Sequence, residues 1–159
     1  MTQNKLEFLS DAFSEYKVEF SDDFTTAVIL NPLYNENVKV YYEEADDYSP
    51  FITCFSFQHC HLCDEDEVVG WINDIITGKL FAIEFFKNDQ RRFGGEIEAE
   101  ELKDLSYEKL GQRFGYFGVS KLYQNADSFK VRGWNKNQNF DAVFVMNEDG
   151  TISIEKTYV

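Results

Sequence analysis

An α+β domain, with a mainly antiparallel sheet of about eight or nine short strands and two or three packed helices, is the fold this sequence predicts. Three observations predict it. Strand-like segments cluster along the chain and do not alternate with helices, which argues against a doubly wound parallel sheet. Short β-branched or apolar runs such as FTTAVIL, VKVYYEE and LFAIEFF, bounded by turn signals, recur along the chain. One segment, 64–78, carries a complete set of helix signals. A length of 159 residues suits a single domain spanning residues 1–159, and no linker or internal repeat divides the chain.

The elements follow in order. Leu6, Leu9, Phe13 and Tyr16 stand at helical spacing, with Phe8 beside them, so residues 3–14 predict a short amphipathic helix. Tyr16, Val18 and Phe20 then alternate as a strand, and Ser21-Asp22-Asp23 is a turn signal. FTTAVIL at 24–30 and VKVYYEE at 38–44 are strands, the first stopped by Asn31-Pro32. An acidic loop, Ala45–Pro50, leads into a strand FITCFSF at 51–57. Asp64 is placed as an N-cap with Glu67 three residues on, Val68, Val69, Trp71, Ile72, Ile75 and Ile76 give a broad apolar face, and Gly78 ends the helix.

LFAIEFF at 80–86 is a strand, Lys87–Gln90 a turn, and Arg91–Ile97 its hairpin partner. Residues 99–113 contain one further predicted short helix, with Ser106 as its cap, followed by a loop rich in glycine and aromatics. SFKVRGW, FDAVFVM and TISIEKTYV close the chain as strands, the last two joined by a turn at Asn147–Gly150.

Composition narrows the function. The 29 acids against 15 bases leave a formal charge of −14, which excludes a binder of nucleic-acid backbones, since phosphate contacts need clustered Lys and Arg. No 18-residue apolar run exists to cross a membrane. Residues 1–67 hold 15 acids and 3 bases, a net of −12, and residues 68–159 hold 14 acids and 12 bases, a net of −2. Cys54, Cys60 and Cys63 do not form a disulfide framework, and the N-terminus has no basic-then-apolar leader, so the cytoplasm is expected.

Four clusters bear on chemistry. His59-Cys60-His61-Leu62-Cys63 has zinc-preferring residues at CxxC spacing, but structural zinc sites draw ligands from two segments and no Cys or His follows residue 63. No metal or cofactor is therefore expected. Glu84, in a strongly apolar strand, is a candidate to orient His59 or His61 as a general base; strand alternation accounts for it equally well. Arg91-Arg92-Phe93-Gly94-Gly95 could cradle an anion, yet it matches no phosphate-loop pattern, and a glycine-marked bulge in a hairpin is the simpler reading.

The fourth cluster joins tyrosines to acids: Tyr41, Tyr42, Glu43, Glu44, Asp46, Asp47 and Tyr48. Tyr buries a rigid ring and keeps a polar tip, and carboxylates pair with Arg or Lys across an interface. Asp22 and Asp23 join this patch if the neighbouring turns share one end of the sheet. No complete catalytic set accompanies these residues, so catalytic residues are not assigned.

The segment FSFQHCHLCDEDEVVGWINDIITGKLFAIEFF followed by RRFGG, in a small acidic chain rich in aromatics, resembles the small α+β immunity proteins of bacterial toxin systems. The likeness lies in size, acidity and the strand–helix–strand layout, and it carries over no site residues. It implies a cytosolic protein that neutralises a toxin by binding it. The expected function is thus a non-enzymatic acidic protein that engages a basic protein partner. The alternatives are a small enzyme or ligand- or metal-binding domain built on His59–Cys63 with Glu84, and a DNA-mimic inhibitor. A homodimer through exposed aromatics stays open.

Overall fold

The computed structural model describes residues 4–43, 46–55, 57–59, 64–114 and 119–159, with the backbone alone at 43, 46–49, 57–59 and 119–121. The fold is α+β and its sheets are antiparallel throughout. The chain gathers into two compact units, residues 1–77 and 78–159.

The first unit holds α1 (Phe8–Ala12), β1 (Val18–Phe20), β2 (Thr26–Ile29), β3 (Val38–Glu43), β4 (Asp46–Cys54), β5 (Phe57–His59) and α2 (Glu65–Ile76). Its strands pair in sequence order, a meander. Alternation sends Ala27, Ile29, Val38, Val40, Ile52 and Cys54 to a buried face, and Leu9 of α1 with Val68, Ile72 and Ile75 of α2 supply the helices' buried residues, Leu6 being buried just before α1. Asp64 caps α2 by accepting from the Glu67 N–H at 2.9 Å, and Gly78 beyond the helix takes a φ of 73°, as a helix-ending glycine does. Two expectations change here. The acidic stretch from Asp46 onward is strand, not loop, because it zips against β3 through Tyr41↔Phe51 and Glu43↔Asp46. The strand expected at 51–57 breaks at Phe55, whose φ of 55° starts the reversal into β5.

The second unit holds β6 (Leu80–Lys87), β7 (Gln90–Glu98), α3 (Ala99–Lys103), α4 (Tyr107–Arg113), α5 (Val119–Asn125), β8 (Ser128–Arg132), β9 (Phe140–Met146) and β10 (Ile152–Tyr158). Its sheet runs β10-β9-β8-β6-β7. Phe81, Ile83 and Phe85 of β6 share a core with Phe129, Val131, Phe140 and Phe144, covered by Tyr107, Leu110 and Leu122 from the helices. Phe85 is the hub, with ring centroids 4.6 Å from Phe93, 5.1 Å from Phe114 and 5.7 Å from Phe129.

The β6–β7 hairpin turns on Asn88 and Asp89, both at positive φ, a two-residue turn suited to twisted strands. Its register shifts opposite Phe85 and Phe86, so the Arg91–Gly95 stretch is a bulged hairpin strand. Within 99–113 the expected Ser106-capped helix forms as α4, with Ser106 Oγ accepting from Lys109 N–H, and an additional short helix, α3, precedes it and ends where Asp104 leaves helical geometry. The helix at 119–125 was not expected. Among the described residues there are ten strands and five α-helices, more than the counts predicted.

Candidate partner-binding site

In a meander, alternate hairpins turn at the same end of the sheet. The β1–β2 turn, with Asp22 and Asp23, and the β3–β4 turn therefore lie at one end of the first sheet. The register makes this concrete: Phe20 pairs with Ala27, Thr26 with Tyr41, and Glu43 with Asp46. A backbone hydrogen bond from Tyr42 N–H to Thr25 C=O at 3.1 Å ties the two hairpins together. Asp46, Asp47 and Tyr48 open β4 beside them, placed here by backbone alone. Glu44 lies outside the described residues.

The side chains at this end differ in how free they are. Asp22 is exposed. Asp23 is committed to its own turn: one carboxylate oxygen accepts from Ser21 Oγ (2.6 Å), Thr25 N–H (3.1 Å) and Thr25 Oγ1 (2.8 Å). Those hydrogen bonds hold its carboxyl below the ordinary value. Tyr41 is half-buried and stacks on Phe51 across the strands, with ring centroids 5.5 Å apart and 18° between planes. Lys39 Nζ stands 4.9 Å from the Tyr41 ring centroid, and Lys5 Nζ stands 5.4 Å from that of Tyr42.

Two residues went unread in the sequence. Phe24 is 41% exposed, at a φ of 57°, inside the Asp22–Asp23 turn. A phenylalanine directly after a Ser-Asp-Asp turn signal was the clue. Phe51 joins Tyr41 only through the bulged register of β3 and β4, which sequence spacing does not reveal.

The other clusters stand as follows. Cys60, His61 and Cys63 lie outside the described residues, and His59 ends β5 with its backbone alone described. Among the described residues no three His, Cys, Asp or Glu side chains converge as a metal site would need. Burial, with the Glu36 carboxylate adding to it, pushes the Cys54 thiol up, away from thiolate chemistry. Glu84 lies on the face opposite Phe81, Ile83 and Phe85, as alternation predicts, and accepts from Arg91 Nε at 2.6 Å. Arg91 is thereby engaged by a carboxylate of its own hairpin.

A cleft of about 510 Å³ in the second unit is floored by Ile97, Leu105 and Leu110. Its cations are likewise engaged, Arg113 with Glu101 at 3.1 Å and Lys109 with Asp104. No helix among the described residues is long and apolar enough to cross a membrane. Comparison with protein-family models, curated proteins and solved structures finds no match.

Proposed function

We propose that this chain is a non-enzymatic cytoplasmic binding protein that engages and neutralises a basic protein partner, in the manner of the bacterial immunity proteins it resembles. The observation that carries this reading is the placing of two acidic hairpin turns at one end of the first sheet. The unit that bears them holds 16 acids and 3 bases, a net of −13. Such a field steers a cationic surface toward that end before contact. Phe24, Tyr41 and Phe51 stand near those turns as apolar surface, and aromatic residues are the usual energetic anchors of interfaces. Neutralisation then follows from occlusion and needs no reaction by this chain.

The test uses the tagged chain as bait in lysate of the source organism, eluted by a salt gradient. A basic protein released only at high salt is expected. A variant with Glu43, Glu44, Asp46 and Asp47 all changed to Lys should not retain it. With that protein purified, the association rate should fall from 50 to 500 mM salt, about a threefold change in screening length. Equal retention by the reversed variant, or a rate indifferent to salt, overturns the proposal. Asp23 is left unchanged, because its substitution would rebuild the turn.

A further inference from the structure

We infer that the exposed edge of β10 pairs with β10 of a second copy, joining two second-unit sheets across a two-fold axis at Ile154. Sheet edges present unpaired N–H and C=O groups, and proteins blunt them with short strands, bulges or charge. Among the described residues, three of the four edges are short or bulged. β1 has three residues, and β5 has three among the described residues. β7 is bulged and carries the exposed pair Arg91 and Arg92. β10 is neither short nor bulged, although Glu155 and Lys156 place charge on it. It runs seven residues, Ile152–Tyr158, without Pro, Gly or a register shift against β9, and among the described residues β9 is its sole strand partner.

The hydrogen-bond parity selects the pairing residues. Asn147 N–H donates to Thr151 C=O at 2.8 Å, and Val159 N–H donates to Asn139 C=O at 3.1 Å. Odd-numbered residues of β10 therefore turn their backbone groups toward β9, and Ile152, Ile154, Lys156 and Tyr158 turn theirs outward. Two copies related by an axis perpendicular to the sheet pair residues of equal parity. An axis at Glu155 sets two carboxylates against each other, and one at Lys156 sets two ammonium groups together; like charges directly opposite are unfavourable.

The axis at Ile154 avoids both. It sets Ile154 against its own copy, Ile152 against Lys156, and Ser153 against Glu155. Ile152 and Ile154 are only half-buried, so their remaining apolar surface would be covered. The second unit is close to neutral, 13 acids against 12 bases, so it offers little repulsion to its own copy. A self-complementary register without like-charge contacts is why a second copy, and not an unrelated strand, is assigned to this edge.

Analytical ultracentrifugation of the full chain from 1 to 200 μM tests this. The expected result is a concentration-dependent shift from 18.6 kDa to twice that mass. Lys156→Pro removes an outward N–H and leaves the β9 ladder intact, so it should weaken association about tenfold or more while far-UV circular dichroism stays unchanged. Ile154→Lys, which opposes two cations on the axis, should do the same. Amide exchange at Ile152, Ile154 and Lys156 should slow as concentration rises. A monomer at every concentration overturns the inference and leaves the edge to a strand of another protein. So does a dimer in which both variants and those three amides behave as in the monomer.

Discussion

The two units build similar five-stranded antiparallel sheets and treat charge in opposite ways. In the first, three bases cannot neutralise sixteen acids, so a net field survives whatever local pairs form. In the second, acids and bases nearly balance, and many meet: Arg91 with Glu84, Arg132 with Asp141, Arg113 with Glu101. Exposed pairs of this kind contribute little stability each, so their consequence is neutrality more than strength. The lesson is a division of charge. The first unit carries a surviving negative field, and the second carries nearly balanced charge.

The largest expected effect tests the core side of that contrast. Phe85 is fully buried among three aromatic rings. Phe85→Ala should cost about 3–5 kcal/mol in urea unfolding, the transfer loss plus an unfilled cavity. A loss under about 1 kcal/mol would mean that the surrounding rings collapse freely and that Phe85 is no hub. Next come two glycines with opposite surroundings. A Cβ at Gly94 would stand 2.7 Å from the Ile83 carbonyl oxygen, which is backbone and cannot swing aside. Gly94→Ala should therefore destabilise by about 1–3 kcal/mol. Gly70, on α2 of the first unit, has open space around it, so Gly70→Ala should stabilise by about 0.5–1 kcal/mol through helix propensity. Effects of equal sign at the two positions would undo this reading of their environments.

What was legible in the sequence was local. The Asp64 cap, Gly78 and β9 followed from short-range signals, and Asn147–Gly150 followed from turn chemistry; each forms as read. The strand from Asp46 was hidden because its acids mimic a loop; only pairing with β3 makes it a strand. The break at Phe55 was hidden because a phenylalanine rarely takes positive φ. That the strands form two sheets, and that two acidic turns share one end, are long-range facts of pairing order. Phe51 was hidden for the same reason, whereas Phe24 had a local signal in its place directly after Ser21-Asp22-Asp23.

A smaller effect concerns the start of α2. Asp64→Ala removes the acceptor for Glu67 N–H and should cost about 1 kcal/mol. Asp64→Asn, which keeps a capping oxygen, should recover most of it; a variant that recovers nothing would point to the charge at the helix start in place of the hydrogen bond.

The finest probe compares one device in both units. Asp23 closes the β1–β2 turn with three hydrogen bonds, and Asp149 closes the β9–β10 turn by accepting from Thr151 N–H and Oγ1. Those bonds hold both carboxyls below their ordinary 3.8. A carboxyl lowered by folding stabilises the folded state fully above its unfolded value, and that contribution is lost as pH falls through the lower, folded value. Both turns should therefore hold above pH 4 and loosen below it. The surrounding charge separates them. A net-negative neighbourhood disfavours the carboxylate and pushes titration upward, so screening it should move Asp23 down. NMR titration at about 10 mM and about 1 M salt spans screening lengths of roughly 30 and 3 Å. Asp23 should fall clearly and Asp149 hardly at all. Equal shifts would mean that the excess charge of the first unit is not felt at its acidic turns, and the steering proposed for partner capture would lose its source.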